Sequence, residues 1–382
     1  MRMILNETSY FGAGCRKELV GEMKRRGWKK AFVVTDDDLI KHGIVKMVTD
    51  ELDNAEIAYD IFSEVVPNPT IANVQSGLIK FKASVPDVIV AIGGGSVIDT
   101  AKAIGIIVKN PSFKNVKSLE GVADTKEKSF PVVAFATTAG TAAEVTINYV
   151  ITDERAGRKL VCVDPNDIPV IAFNDAEMMM SMPKSITAST GMDALTHAIE
   201  GFITKGATPL SDMLCLSSIE LIAKNLKDAV ENGTNLSARE GMALGSYVAG
   251  MAFSNVGLGI VHSMAHPLGA RFNIAHGVAN ALLLPFVMEY NLNSSKEKFA
   301  QIAKAMGVST KGMSIKKAAL SAIDAVKELS LAIGIPQRLS DIGITEDDLL
   351  QLAKDAMVDP CTGGNPAKVT RNSILEIYKK AL

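Results

Sequence analysis

The sequence predicts an α/β domain over residues 1–181 followed by an all-helical domain over residues 182–382. Up to about residue 180, strand-like and helix-like segments alternate, which favours a parallel sheet covered by helices. Beyond that point the strand signal disappears, and signals for helix starts and helix ends replace it. Of the 382 residues, 47% are hydrophobic, so both parts have enough apolar side chains for a buried core.

The strands of the first domain are predicted from five short apolar runs. Several of these runs are separated by amphipathic stretches, such as KELVGEMKRRG and VQSGLIKFKAS, that have the pattern of covering helices. The runs cover residues 31–36, 57–62, 87–94, 131–138 and 169–175. Strands that alternate with helices in this way pair in parallel, so we expect one parallel sheet.

The helices of the second domain are predicted from their first turns. Thr208 before Pro209 has the pattern of an N-cap residue followed by a proline in the first turn. Ser237 and Glu240 have the spacing of a capping box, which places another helix start at Ser237. No linker rich in proline, glycine or serine separates the two halves, so we expect two domains packed around a shared cleft.

The composition argues against nucleic acid and membranes as partners. The 40 basic residues and 42 acidic residues give a net charge of −2, which leaves no excess positive charge for phosphates. Residues 241–270 contain no charged side chain, but glycine, serine, asparagine, histidine and proline interrupt them. A buried helix pair therefore fits this stretch better than a membrane span of about 20 apolar residues.

The cysteines and the N-terminal residues predict a cytoplasmic protein. The four cysteines are far apart and form no CxxC pair, so we expect reduced thiols. The first twelve residues, MRMILNETSYFG, lack the apolar stretch and cleavage site of a signal peptide.

A glycine-rich loop follows the predicted strand over residues 87–94. Gly94, Gly95 and Ser96 lead into the helix-like segment VIDTAKAIGIIV, and the free N–H groups of a first helical turn attract phosphate. We interpret this loop as a pyrophosphate site. An ordinary tight turn explains it equally well, because the loop departs from the G-x-G-x-x-G dinucleotide fingerprint.

An acid and several threonines follow neighbouring predicted strands. Asp36 ends one strand, where a carboxylate can bind an adenosine ribose and repel a 2′-phosphate, which favours NAD over NADP. A helix N-cap is an equally good interpretation of Asp36 and is compatible with that role. Thr137, Thr138 and Thr141 follow another strand and could offer hydroxyl contacts to the same ligand.

The spacing of metal ligands occurs in the second half. Asp193 and His197 are four residues apart, so on a helix they project from one face. His262 and His266 repeat this spacing, and His276 opens another helix-like segment. One carboxylate and three neutral imidazoles form a ligand set for a divalent transition metal.

A hydrogen-bonded core residue is the ordinary alternative for each histidine alone. The chain has only five histidines, and four of them lie in residues 197–276 on apolar helical segments. Burying an imidazole there without a partner costs about 1–3 kcal/mol, so the grouping favours a metal site. The affinity of such a site does not choose between Fe²⁺ and Zn²⁺.

A nucleotide-binding half and a metal-binding half together suggest hydride transfer at a metal-polarised oxygen. We therefore expect reduction of an aldehyde, or the reverse oxidation of an alcohol. His266, one turn from His262, is the extra histidine, and we assign it to proton relay or substrate hydrogen bonding.

Four segments of the chain resemble the iron-containing, or group III, alcohol dehydrogenases. They are GGGSVIDTAKAIG, TTAGTAAEVT, TGMDALTHAIEGF and HSMAHPLGARFNIAHGVANALLLP. The resemblance extends over essentially the whole chain and implies the fold shared by this family and dehydroquinate synthase. It implies NAD and Fe²⁺ as cofactors, with Zn²⁺ as the alternative metal, and a homodimer in which an N-terminal strand crosses to the partner.

The resemblance also assigns roles to individual residues. The implied metal ligands are Asp193, His197, His262 and His276, and the implied catalytic histidine that does not bind the metal is His266. The implied cofactor contacts are Asp36, Asn68, Gly94, Gly95, Ser96, Thr137, Thr138, Thr141, Asn148 and Lys159.

Two other classes of function stay open at this point. A lyase of the dehydroquinate synthase type would need a basic pocket for a phosphorylated acid, and the apolar segment AGMAFSNVGLG beside His262 argues against one. A nucleotide sensor would bind NADH without turnover.

Overall fold

The computed structural model describes residues 2–382, which form two compact units. Residues 2–138 and 142–181 form an α/β unit, and residues 139–141 and 182–382 form a helical unit. The predicted fold class is confirmed. Residues 139–141 belong to the helical unit because Gly140 packs tightly on Thr190, where an added Cβ would lie 2.7 Å from the threonine Cβ.

The α/β unit contains nine strands and five α-helices. The strands are β1 (Thr8–Phe11), β2 (Lys30–Val34), β3 (Ala58–Phe62), β4 (Val88–Gly93), β5 (Gly121–Val122), β6 (Val132–Ala136), β7 (Asn148–Asp153), β8 (Arg158–Val163) and β9 (Ile171–Asn174). The helices are α1 (Glu18–Arg26), α2 (Asp37–Lys41), α3 (Ile44–Asn54), α4 (Ile71–Ser84) and α5 (Gly95–Lys109). The five strands predicted from apolar runs correspond to β2, β3, β4, β6 and β9.

Six strands form a parallel sheet in the order β1-β9-β6-β4-β2-β3. The central strands β4 and β6 are buried along their whole length, which explains why both read as continuous apolar runs. Alternate side chains of β4 enter different cores: Ile89 and Ala91 on one face, and Val88, Val90 and Ile92 on the other. Both faces of the sheet are therefore covered.

A smaller sheet in the order β5-β8-β7 is absent from the sequence prediction. β7 and β8 pair antiparallel, and Gly157 in their turn has a φ of 60°. The hairpin is attached to α5, because the Asp99 carboxylate accepts a hydrogen bond from the Val150 N–H at 2.9 Å. Lys102, also on α5, donates to the Asn148 carbonyl at 2.9 Å.

The helical unit contains eight α-helices and no strand within the described residues. They are α6 (Lys184–Ile203), α7 (Pro209–Glu231), α8 (Leu236–Val256), α9 (Ile260–Phe272), α10 (His276–Ala305), α11 (Ile315–Ala332), α12 (Glu346–Met357) and α13 (Arg371–Ala381). Thr208 caps α7 as predicted, and its side chain accepts from the Ser211 N–H. The predicted capping box at Ser237 is wrong: Asn235 caps α8 by accepting from the Ala238 N–H, which leaves Ser237 inside the first turn.

Within residues 2–382, no single helix is both long enough and apolar enough to cross a membrane. Taken together, α8 and α9 are long and apolar enough to cross a membrane, but the two helices are bent by 102° relative to each other, and only their length and composition suggest a span. This pair contains most of the uncharged residues 241–270, and most of the side chains on both helices are buried within the protein.

Gly277 permits the close approach of α10 to α6. A Cβ at this position would lie 2.2 Å from the Ser189 carbonyl oxygen, which belongs to the backbone and cannot rotate away. We expect Gly277→Ala to lower the free energy of unfolding by about 1–3 kcal/mol, as overpacked substitutions do. Urea denaturation measures this change.

Gly21→Ala is the matched control for Gly277→Ala. Gly21 lies inside α1 and has nothing within 4 Å of its added Cβ. In a helix, alanine is favoured over glycine by about 0.5–1 kcal/mol, so this variant should be at least as stable as the parent. Equal effects of the two substitutions would contradict the close approach.

Candidate metal centre and nucleotide-binding loop

Three helices of the helical unit bring the predicted metal ligands together. α6 carries Asp193 and His197, α9 carries His262, and α10 begins at His276. One ligand atom from each of the four residues lies within 4.8 Å of the others. The first three residues are buried and His276 is partly exposed.

The chemistry of this cluster fits a divalent cation. Burial lowers the pKa of His197, and lowers that of His262 well below its usual range, so both imidazoles are neutral, as metal ligation requires. Asp193 is only 2% exposed, and within residues 2–382 no lysine or arginine forms an ion pair with it. A buried carboxylate is costly without a positive partner. In addition, Nδ1 of His197 is buried without a hydrogen-bond partner among the described residues.

Glu200 fixes the orientation of His262. Its Oε2 lies 2.7 Å from His262 Nδ1, and its Oε1 accepts from the Val261 N–H at 2.7 Å. Because Nδ1 is held by the carboxylate, Nε2 is the nitrogen left for a metal. The glutamate fits here because Gly259 has no side chain: a Cβ there would lie 2.7 Å from Glu200 Oε1. Burial raises the pKa of Glu200 to about 7.

His266 lies beside the ligand cluster and is held by Asp359. The distance from His266 Nδ1 to Asp359 Oδ2 is 2.7 Å, and the imidazole stacks on that of His276 with centroids 5.4 Å apart. Burial opposes ionisation of Asp359, but the charge and hydrogen bond of His266 outweigh it and lower the pKa of this carboxyl. The catalytic role of His266 stays a prediction.

Three residues of the site were missed by the sequence analysis: Glu200, Asn280 and Asp359. Two of them carry a local signal, because Glu200 lies three residues after His197 and Asn280 lies four residues after His276. Asp359 carries none, since 93 positions separate it from its partner His266.

The glycine loop lies where the order of the large sheet reverses. Apart from β1 at the edge, β2 and β4 are the first and third strands of the sheet in chain order, yet they are neighbours. Ligands of open α/β sheets bind at the carboxyl ends of the strands at such a switch point. Gly94 is the N-cap of α5, and Gly95 and Ser96 form its first turn, whose N–H groups have no acceptor within the helix.

Asp36 lies at the same switch point, two residues after the end of β2. Its carboxylate caps α2 by accepting from the Leu39 N–H at 2.8 Å, so the capping interpretation is confirmed. Burial raises the pKa of Asp36. The contact of Asp36 with a ribose stays a prediction. The position of Asp36 at the carboxyl end of the strand is compatible with that contact.

Two of the three predicted threonines lie at the glycine loop. The Thr137 N–H donates to the Gly93 carbonyl at 3.1 Å, and a Cβ at Gly94 would lie 3.1 Å from the Thr138 hydroxyl oxygen. Thr141 belongs to the helical unit instead.

The remaining predicted cofactor residues are grouped at the β7–β8 hairpin. Lys159 donates to Asn68 Oδ1 at 2.6 Å, and burial lowers the pKa of Lys159 to about 8. Asn68 has a φ of 57°, and its carbonyl accepts from the Thr152 hydroxyl at 3.2 Å. Asn148 opens β7, and its Oδ1 is buried without a hydrogen-bond partner among the described residues.

Replacement of Glu200 should weaken metal binding. In Glu200→Gln one carboxylate oxygen, which accepts hydrogen bonds, is replaced by an amide NH₂, which only donates them. This NH₂ would face an N–H group of Val261 or His262, so one hydrogen bond would be lost. We expect metal affinity to fall about 10–100-fold, the usual effect of losing a group that orients a metal ligand. Calorimetric titration of the metal-free protein with Zn²⁺ measures it. The control is Glu220→Gln, an exposed position on α7, and equal affinities of the two variants would contradict the role of Glu200.

The chain matches two models of one protein family. The model described as Fe-containing alcohol dehydrogenase family, C-terminal, matches residues 187–382. The model described as iron-containing alcohol dehydrogenase matches residues 6–176.

Proteins similar to this chain match it over its whole length. It is 55% identical over 380 residues to a lactaldehyde reductase of Escherichia coli strain K12, covering 100% of this chain and 99% of that protein. It is 43% identical over 380 residues to a 1,3-propanediol dehydrogenase of Citrobacter freundii, covering 99% and 98%. A crystal structure of 1,3-propanediol oxidoreductase matches with a TM-score of 0.97 at 42% identity, covering 100% and 99%. The chain therefore belongs to the iron-containing alcohol dehydrogenase family.

Proposed function

We propose that this protein catalyses the NAD-dependent reduction of lactaldehyde to 1,2-propanediol and the reverse oxidation of small alcohols and diols. The observation that carries the proposal is the convergence of one carboxylate and three imidazoles within 4.8 Å in the helical unit. Membership of the family makes the chain an oxidoreductase acting on CH–OH groups and implies NAD and an iron or similar metal.

The metal would be held by Asp193, His197, His262 and His276, with Fe²⁺ as the proposed ion and Zn²⁺ as the alternative. When bound, a divalent cation supplies Lewis acidity toward a carbonyl oxygen, and NADH supplies the hydride. The residues around the ligands prepare this site, because Glu200 fixes the tautomer of His262.

His266 is the proposed proton relay. Reduction of an aldehyde adds a hydride to the carbon and a proton to the oxygen, so a group that exchanges protons is needed. The hydrogen bond from Nδ1 to Asp359 at 2.7 Å leaves Nε2 to pass that proton, and the carboxylate stabilises the protonated ring.

NAD is the proposed dinucleotide because of Asp36. A carboxylate at the carboxyl end of β2 can accept hydrogen bonds from a ribose, whereas it repels the 2′-phosphate of NADP. Gly94, Gly95 and Ser96 offer backbone N–H groups for the pyrophosphate, so no excess of basic side chains is required.

The choice of substrate rests on the relatives. Identity is 55% to the lactaldehyde reductase and 43% to the 1,3-propanediol dehydrogenase, both over 380 residues. Oxidation of 1,3-propanediol or another short primary alcohol is the alternative, because apolar pockets discriminate one methylene by only about 1–3 kcal/mol.

Location and assembly are also part of the proposal. We assign the protein to the cytoplasm, with no nucleic acid or membrane partner, and to a homodimer formed through its N-terminal strand. In support, β1 stands at an edge of the six-stranded sheet next to β9, and edge strands are the strands through which sheets of two chains can pair.

The test of this function is metal-dependent consumption of NADH. Protein purified without oxygen and loaded with Fe²⁺ or Zn²⁺ should consume NADH with lactaldehyde, and a chelator should abolish the reaction. NADH should be a better substrate than NADPH because of Asp36. Absorbance at the NADH band follows the reaction with a panel of short aldehydes. Consumption with none of them would exclude a dehydrogenase, and a preference for NADPH would exclude the role of Asp36.

Replacement of His266 should separate proton relay from metal binding. We expect His266→Phe, which retains a ring to stack on His276, to lower kcat by about 10²-fold or more and to change the pH–rate profile. Metal content, measured by mass spectrometry, should stay at one ion per chain. Unchanged turnover with an unchanged pH profile would rule out the relay.

A further inference from the structure

Asn280 contacts three of the four residues of the ligand cluster but is not itself one of the four ligands. Its side chain is fully buried, and its amide nitrogen lies 2.7 Å from Asp193 Oδ1. The same nitrogen lies 3.2 Å from His262 Nε2 and 3.1 Å from His276 Nε2. Two amide hydrogens therefore face three of the four groups that would bind the metal.

Only the nitrogen of the Asn280 amide forms hydrogen bonds among the described residues. Asn280 Oδ1 is buried without a hydrogen-bond partner among the described residues, which costs free energy and calls for a compensating function. Reversing the amide would turn its oxygen toward the Asp193 carboxylate. It would also face the acceptor nitrogen of His262, because Glu200 holds the other nitrogen of that ring. The contacts thus require an N–H donor at this point.

Without such a donor, the ligand groups would repel one another in the metal-free protein. His276 Nε2 and Asp193 Oδ1 are only 3.7 Å apart, and the nearby lone pair of His262 Nε2 adds to the repulsion. A lysine could also supply N–H donors, but its charge would neutralise Asp193 and compete with the cation. A neutral amide also donates to the lone pairs that would bind the cation, but it brings no positive charge to Asp193, so a cation can displace it.

The position of Asn280 in the sequence agrees with this role. His276 and Asn280 are four residues apart on α10, so they share one face one turn apart. The same spacing relates Asp193 to His197 on α6 and His262 to His266 on α9. Each of the three helices thus presents a pair of polar side chains to the site.

We propose that Asn280 is a positioning residue that holds Asp193, His262 and His276 together before the cation binds. This inference rests on the proposed metal site, and it assigns to Asn280 the assembly of that site in the metal-free protein.

The test is a Co²⁺ titration of the metal-free full-length chain, because Co²⁺ reports its coordination through visible absorption without any turnover. Asn280→Leu keeps a similar volume and removes the donor. We expect it to raise the Kd for Co²⁺ by about 10–100-fold, the range for residues that orient metal ligands, and to alter the Co²⁺ spectrum.

Asn291→Leu is the matched control. Asn291 is buried on the same helix, eleven residues further along, or roughly 16 Å by the helical rise, and its amide pairs with Asn365 at 2.9 Å. This variant should lose thermal stability yet bind Co²⁺ with the Kd and spectrum of the parent. A wild-type Kd and spectrum in Asn280→Leu would overturn the role of Asn280. Failure of the parent itself to bind Co²⁺ would instead overturn the proposed metal site.

Asn280→Asp keeps the inference testable if the leucine variant does not fold. It has the same shape as asparagine, but it places a second carboxylate beside Asp193. We expect its metal-free form to melt at a lower temperature than the parent, and saturating Co²⁺ to reduce the difference. Equal melting temperatures of the two metal-free proteins would contradict the inference.

Discussion

The structure of the helical unit depends on one electrostatic constraint: a largely buried cluster holds a carboxylate and three imidazoles together, and no lysine or arginine among residues 2–382 pairs with the acid. Asp193, His197 and His262 are all at most 5% exposed. A buried charge of this kind is stable only with a compensating partner and a complete set of hydrogen bonds. Hydrogen bonds meet part of this requirement, because Glu200 holds His262 and Asn280 donates to Asp193, and the charge of a bound cation would meet the rest.

Close helix packing follows from the same constraint. The ligands come from three helices, so α6, α9 and α10 must approach more closely than ordinary side chains allow. Glycines stand at these contacts: Gly277 lies against the backbone of Ser189, and Gly259 makes space for the Glu200 carboxylate. Neither glycine has a positive φ, so both serve close approach rather than an unusual backbone conformation. In the α/β unit the corresponding constraint is that a ligand must come close to the backbone N–H groups at the start of α5. Gly94, which has no side chain, permits this approach at the switch point of the sheet.

Features that depend on residues close together in the chain could be predicted from the sequence. The four-residue spacing of Asp193 and His197 placed two ligands on one helix face, and the apolar runs identified the strands β2, β3, β4, β6 and β9. Features that depend on distant parts of the chain could not. Asp359 meets His266 across 93 positions, and the β7–β8 hairpin is defined by its packing on α5. The error at Ser237 has a local cause, because Asn235 is an equally good cap two residues earlier.

In the proposed function, one divalent cation is bound by Asp193, His197, His262 and His276. An anomalous difference map from crystals of the metal-loaded protein, recorded at the absorption edge of the metal, tests it most directly. We expect one peak per chain in contact with all four side chains, at about 2.0–2.2 Å from each ligand atom. A peak elsewhere, or metal-loaded crystals with no peak among these four residues, would contradict it.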